Sequence, residues 1–553
     1  MRSTLFLTFV LITGAAAAGA AQTVATTPGT LRLTVDDAVR LAMENNPDLR
    51  ADRLDPQISD TRVAVATGAF RPSLGTGVQR NNQLQPPAGF LFPTATRTDA
   101  VTSTAGVGQR LPWFGTSYTL GWNAVHTDSN SFLNSYNPLL QSGLSVNVSQ
   151  PLVRDLSMDA ARFQVATSRV NRDVADTRLR ESIVHTTANV KSAYWALVAA
   201  KANVEARQKA LDLAQELVRV NKARVDVGQA PPLDLVSAQA EVASNEEDVI
   251  IAETAVKQVE DRLRLLILDT TRADAWTAHI EAIDSPPVGL APPDLDQAIA
   301  GARRDRTDLV RSRLDIRNSD TTVKYTASQR LPDVRLTAGY QAAGLGGTQV
   351  LRSGGFPGNI IGSAPGFDFG NVLNQLYTNA YPTWALGVSV SYPLGESQEE
   401  ANHARARLER AQAEERLKAN EARAVLQIRD ASWKIEMNAK RIGTTKAARE
   451  LAEQRLDAEQ KRFEAGLSTN FLVIQAQRDL AQAKTNALSA VLGYDLALVD
   501  FEALQEAGPA ASATSAPAAA SVTVPAAVAA AAPTAATART TSVTGVPALA
   551  AIQ

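Results

Sequence analysis

The chain has 553 residues, 45% of them apolar, a formal charge of −2 and no cysteine. Near-neutral charge excludes the basic footprint of a nucleic-acid binder, and the missing thiols exclude disulfide staples, cysteine zinc sites and lipid attachment at an N-terminal cysteine. Beyond the first residues no stretch reaches the roughly 18 consecutive apolar residues of a membrane helix, so a membrane crossing would have to be made with strands.

In chain order, Arg2 precedes an apolar run over 5–12 and a small-residue stretch over 15–21. That is the pattern of a secretory signal peptide over 1–21. A first structural repeat is expected over 31–268: helices at 36–43 and 48–66, strands at 73–150, and a long helical hairpin over 157–268 that turns at Gly228. A connecting segment of the equatorial region follows at 269–293. The second repeat, 294–506, runs through helix at 294–328, strands at 333–392 and a hairpin over 396–506 that turns at Gly466. About 70 residues without proline separate Gly395 from Gly466, a rod of ~105 Å if helical throughout. Residues 508–553 are nearly all Ala, Thr, Ser, Val and Pro and are expected to form a disordered tail.

The two repeats can be aligned residue by residue. Asp36, Ala38, Asp48, Leu49, Arg53 and Pro72 recur 260 positions later as Asp296, Ala298, Asp308, Leu309, Arg313 and Pro332. Leu144, Val146, Val148 and Pro151 recur after 242 positions as Leu386, Val388, Val390 and Pro393. Trp195, Leu213, Arg224, Gly228 and Gln239 recur after 238 as Trp433, Leu451, Arg462, Gly466 and Gln477. The order points to an internal duplication. The step from 242 to 238 is expected inside the long helices, where four residues make about one turn.

The strand regions alternate with period two. Val101, Ala105 and Val107 point one way and Thr102, Thr104, Gly106 and Gly108 the other; Tyr118, Leu120 and Trp122 alternate with Thr119, Gly121 and Asn123. One apolar and one polar face over about ten residues is the signature of barrel strands; a soluble sheet packed on the helices is the competing reading. The aromatics Trp113, Phe114, Trp122, Tyr381, Trp384 and Tyr392 suit membrane interfaces. Segments 81–100 and 341–382 are expected to be long surface loops. Each half ties two strands to its helices, and a hairpin over 102–122 would raise four strands per chain to six. Neither number closes a barrel, for which about eight are needed, so copies must pool strands about an axis.

The segments LTVDDAVRLAMENNPDL (33–49), QPLVRD (150–155), SAYWALVAAK (192–201), RVDVGQAPPLDLVSAQAEV (224–242) and RFEAGLSTNFLVIQAQRDL (462–480) resemble the TolC-like outer-membrane efflux proteins over about residues 31–506. The resemblance implies a mixed α and β membrane protein. Its duplicated long antiparallel helices would form a periplasmic α-barrel, and its strands an outer-membrane β-barrel shared between protomers, twelve-stranded in a homotrimer. It implies an exit duct in outer-membrane lipid, serving efflux or type I secretion, passive and coupled to an inner-membrane transporter through a periplasmic adaptor protein. Carried over by motif, the adaptor-docking tips comprise Arg224, Gly228, Asp234, Gln239, Arg462, Gly466, Asn470 and Gln477. Leu472 and Gln475 stand at the periplasmic mouth where some relatives place an acidic residue. No catalytic constellation, cofactor motif or metal spacing is evident, and His126, His185, His279 and His403 are scattered. The alternative is a periplasmic adaptor or structural coiled-coil protein without a pore, which would usually carry a single hairpin and no barrel strands.

Overall fold

The computed structural model describes residues 31–87, 95–131, 134–269, 271, 273–285, 294–355, 358–392, 395 and 397–509. The signal peptide, nearly all of the tail, Pro393, Glu396 and much of the connecting segment lie outside them. Strand β1 (Leu31–Leu33) leads to helices α1 (Val35–Asn45), α2 (Pro47–Asp52) and α3 (Leu54–Gly68). Thr34 caps α1 by accepting from Asp37 N–H, and Pro47 opens α2 at a position where no amide donor is needed. Strands β2 (Ser73–Gln85), β3 (Thr96–Arg110), β4 (Ser117–Ser129) and β5 (Tyr136–Pro151) follow. Next come helices α4 (Ala160–Asp226) and α5 (Pro232–Ile267), and β6 (Ile280–Ala282), which pairs in parallel with β1.

The second repeat opens with α6 (Leu295–Asp305) and α7 (Thr307–Gln329). It continues through β7 (Asp333–Ser353), β8 (Asn359–Ala364), α8 (Phe369–Tyr377) and β9 (Tyr381–Ser391) to α9 (Gln398–Glu464) and α10 (Asn470–Glu506).

Both long helices have 67 residues, each ~100 Å. Their starts differ by 238 positions and so do their ends. The four-residue step therefore lies before the helices, between the strand ends and the caps Asp159 and Ser397, and not inside them as the sequence suggested. An offset absorbed in a linker leaves the packing stripe of the rod untouched.

The duplication extends to the core. Ala38, Ala42, Val190, Ala193, Leu197 and Leu263 cluster in the first half; their counterparts Ala298, Ala302, Ile428, Ala431, Ile435 and Phe501 cluster in the second. Asn46 Nδ2 donates to the Leu266 carbonyl at 3.2 Å, and the buried Arg306 does the same to Leu504 at 3.3 Å, each closing the last turn of a returning helix. α4 packs between α5 and α10, and α10 on α9, so the helical layer has the order α5–α4–α10–α9.

The strands form one antiparallel sheet in the order β2–β3–β4–β5–β7, with β9 on the far side of β7 and short β8 on its outer end. The segments expected as loops are in part regular structure: β2 and β3 pair up to Gln85↔Thr96, β7 continues to Ser353, and β8 and α8 lie in the second segment. The register carries the alternation across all six long strands. One face bears Val78, Ala105, Leu120, Val146, Ala338 and Leu386; the opposite face bears Gly77, Thr104, Gly121, Ser145, Gly339 and Gly387. The β3–β4 hairpin is thus a full member of the sheet, which has six long strands where the sequence left four or six open.

Its turn is locked into the joint between strand and rod. Gln150 Nε2 donates to Phe114 O at 3.0 Å and its carbonyl accepts from Thr116 Oγ1. Gly115 sits at φ +68°, where a Cβ would lie 2.9 Å from both Asp155 O and Pro151 Cγ; only glycine fits. The QPLVRD segment is this corner. Asp155 accepts from Gln329 Nε2 at 2.7 Å and pairs with Arg335 at 3.4 Å, tying α7 and β7 to the start of α4.

Candidate functional site: the two hairpin tips

Each rod ends in the same stop. Gly228 and Gly466 adopt φ +77° and +74°. Their amides donate to Val225 O (3.0 Å) and Phe463 O (3.1 Å), while Gln229 and Leu467 N–H donate to Arg224 O and Arg462 O, both at 2.8 Å. This double closure satisfies the last carbonyls of a helix and requires a left-handed residue. Nothing lies within 4 Å of a Cβ built on either glycine, so the constraint is the backbone and not space. The returns differ: Pro231 and Pro232 start α5, whereas Thr469 and Asn470 start α10.

The structure sorts the tip residues into two groups. Arg224, Asn470 and Gln477 turn inward and join the hairpins. The Arg224 guanidinium lies 4.1 Å from the centre of the Phe463 ring and donates to Phe463 O at 2.8 Å, a cation placed on both a π face and the C-terminal carbonyls of α9. Buried Asn470 accepts from Asn221 Nδ2 at 2.7 Å and donates to Asp234 O at 3.1 Å. Gln477 Nε2 donates to Leu213 O at 3.2 Å. Gln239 and Arg462 are exposed, Arg462 pairing with Glu459 at 3.3 Å, and Asp234 is half-buried in the first turn of α5. At the expected mouth Leu472 is exposed and Gln475 donates to Asp479 at 2.9 Å.

Two features escaped the sequence reading. Arg478 of α10 forks onto the buried Glu241 carboxylate of α5 at 2.6 and 3.0 Å, and that hydrogen bond holds its guanidinium above the ordinary range. With Arg207–Asp248 at 2.7 Å it lines a polar cavity of about 240 Å³ between α4, α5 and α10. No sequence spacing links residues 237 positions apart on different hairpins. The second feature is an apolar crown: Val227, Leu233, Leu467 and Phe471 are all at least two-thirds exposed around the turns. Apolar residues beside a glycine stop were the available signal. A solvent-facing crown of this kind marks a contact surface.

Comparison with known proteins places this geometry. The model of the outer membrane efflux protein family matches residues 108–267 and 298–505. The chain is 24% identical over 506 residues to outer membrane efflux protein BepC of Brucella suis biovar 1, covering 89% of each. Among solved structures it is similar to a membrane protein from Pseudomonas aeruginosa, with a TM-score of 0.63 at 15% identity over 87% of this chain and 91% of that one. It is also similar to the CmeC outer membrane channel of Campylobacter jejuni, with a TM-score of 0.59 at 14% identity over 85% of each chain. The open state of the Neisseria gonorrhoeae MtrE outer membrane channel gives a TM-score of 0.58 at 16% identity over 86% of this chain and 89% of that one.

Proposed function

Because the chain belongs to the outer membrane efflux protein family and resides in the outer membrane, we propose that three copies form one passive exit duct. An inner-membrane transporter supplies the energy, and a periplasmic adaptor joins it to the hairpin tips. The observation that carries this reading is the sheet itself. Its apolar face crosses all six long strands up to the level of the Arg80–Asp99 ion pair, and both edges are open, with every residue of β2 and β9 exposed in the single chain. Open edges are untenable in hydrocarbon, where each unpaired amide costs several kcal/mol. Closure by rotation about one axis removes them, and the rods attached to β5 and β9 then prolong the wall into the periplasm.

Adaptor docking is supported by the apolar crown at the turns and by the exposed Gln239 and Arg462 beside it. Arg224, Asn470 and Gln477 act one step behind, holding the two tips in register. The duct performs no chemistry of its own.

Reconstitution into planar bilayers tests the reading. The detergent-extracted protein is expected to migrate as a heat-modifiable oligomer and to conduct without any nucleotide. A periplasmic monomer that gives no conductance would overturn it.

A further inference from the structure

We propose that helix α8 is an interfacial anchor. It lies on the lipid-facing side of the sheet and sets its exposed apolar flank, Phe369, Leu373 and Tyr377, into the outer leaflet where headgroups meet acyl chains. This rests on the reading of the sheet as the wall of an outer-membrane duct, and it adds a lipid contact that the strands themselves do not supply.

Three observations carry it. The first is the side on which the helix sits. A helix between two barrel strands can fold into the lumen or against the outside, and here the register decides. Along β7 the polar face is carried by Gly339, Gln341 and Ala343, the apolar face by Ala338, Tyr340, Ala342, Gly344 and Gly346. A Cβ built on Gly346 would lie 2.6 Å from Val372 Cγ2, and one built on Gly344 would collide with Val372 O. Both glycines therefore point at α8 and let it approach the strand closely, and Val372 is fully buried. The helix packs on the face of Tyr340 and Ala342, and the lumen side is left clear.

The second is its level. From the rod outward, the apolar face of β7 runs through Val334, Leu336, Ala338, Tyr340 and Ala342, then reaches the two glycines that α8 covers. Trp384 of β9 stands opposite Tyr340, and such rings gather at the headgroup boundary. The Tyr340 hydroxyl donates to Asn379 Oδ1 at 2.5 Å, just past the end of α8, and so ties the helix to that level. The segment also completes the backbone of β7. Pairing with β9 stops at Tyr381↔Ala343 and pairing with β8 starts at Ala364↔Gln349. In the gap, Gln375 Oε1 accepts from Leu345 N–H at 3.0 Å, Gln375 Nε2 donates to Leu345 O at 3.1 Å, and Gly347 N–H donates to Phe367 O at 2.8 Å. Water would satisfy these groups for an ordinary surface loop; beside hydrocarbon the protein must do so itself.

The third is composition. Phe369, Leu373 and Tyr377 are spaced by four and fall within about 80° of the helix circumference. All three are exposed, Tyr377 at 91%. Asn371 and Asn374 occupy the other flank, and no charged residue stands anywhere over 369–395. A helix apolar on one flank and polar on the other belongs at a membrane interface. Without Lys or Arg it has nothing to offer lipid phosphate, so its partner is the acyl-chain region. The exposed flank continues the apolar face of the sheet, and the lipid that covers one covers the other.

The absence of native cysteine allows a direct test. Full-length Leu373→Cys, Asn374→Cys and Leu120→Cys variants, each labelled with an environment-sensitive fluorophore, are reconstituted in phosphatidylcholine vesicles. Quenching is read with a nitroxide lipid labelled near the head of the acyl chain, and separately with aqueous iodide. The labels at Leu373 and at Leu120 on the apolar face are expected to be quenched by the lipid nitroxide about threefold more than the label at Asn374, with iodide giving the reverse order. Tyr377→Cys reports the same flank if Leu373→Cys does not assemble into the heat-modifiable form. Iodide quenching at Leu373 equal to that at Asn374 would place α8 in water and overturn the proposal. Quenching by neither reagent would place the flank against protein and overturn it equally. Lipid quenching at Leu120 without it at Leu373 removes the anchor and leaves the wall standing; its absence at both positions brings down the reading of the wall itself.

Discussion

Trp195 and Trp433 occupy the same place in the two repeats, yet one is 9% exposed and the other 57%. Their helices are equal in length and both descend from a barrel strand to a glycine stop. The difference is in the company they keep. α4 lies between α5 and α10, and Trp195 belongs to a cluster that α10 enters through Val499. α9 packs on α10, α7 and α6, and its Leu408, Leu426, Trp433, Met437 and Leu451 are left exposed. A duplicated chain thus holds its own control: the first repeat shows this surface packed, and the second shows the same surface exposed. On the proposal that copies share one duct, the exposed stripe of α9 is an interface between them.

The comparison can be broken most decisively on α9 itself. Leu426→Glu combined with Leu451→Glu places two charges on the exposed stripe, which the single chain tolerates and a buried seam does not. Complete loss of the heat-modifiable oligomer is expected, read on semi-native gels, with helix content by circular dichroism retained. An undiminished oligomer would mean that the stripe faces solvent.

Truncating the paired tryptophans sharpens the contrast. Trp195→Ala empties a filled site in the chain's own core and should cost about 3–5 kcal/mol of stability. Trp433→Ala should change the chain's own fold by no more than about 0.5 kcal/mol while lowering the yield of oligomer. Equal effects on unfolding would show that the two sites are equivalent within one chain. Smaller still, Gly228→Val and Gly466→Val each force a branched residue into the left-handed region, at a cost of about 1–2 kcal/mol. Both should weaken adaptor cross-linking and export to a similar degree; an unaffected Gly466→Val variant would count against the second tip as a docking element.

The smallest effect concerns Asp495 of α10, whose counterpart in α5 is the exposed Lys257. Burial without a cationic partner raises its carboxyl from 3.8 to about 7. The folded state then holds a proton that the unfolded chain releases, so stability falls as pH rises from about 4 to 7 and stays low above. Asp495→Asn should raise the apparent melting temperature by about 2 °C or more at pH 8 and have little effect at pH 4. An equal shift at both pH values would show that the proton is not the cause.

Much of this architecture was legible in the sequence, because its signals are local or periodic. The glycine stops, the two-residue alternation and the matched offsets each follow from backbone geometry. They located both rods and the spanning strands, and the resemblance then pointed to the family. What was not legible depends on pairing over long separations. Strand continuation through 81–85 and 341–353 was hidden by Asn, Gln and Gly, residues that suit an aqueous lumen as well as a loop. The status of the β3–β4 hairpin could be decided only by register against β2 and β5. At the tips, Asn470 and Gln477 read as surface polar residues, but the partners that bury them come from the other hairpin, about 250 positions away.

The central claim is that the open edges of the single chain are seams between copies. Imaging the detergent-extracted particle along its axis tests this most directly. Three chains around a continuous axial hole, with Trp433 buried against the next copy, is the predicted result. A particle with a filled centre, or a ring in which β2 and β9 remain unpaired, would contradict it.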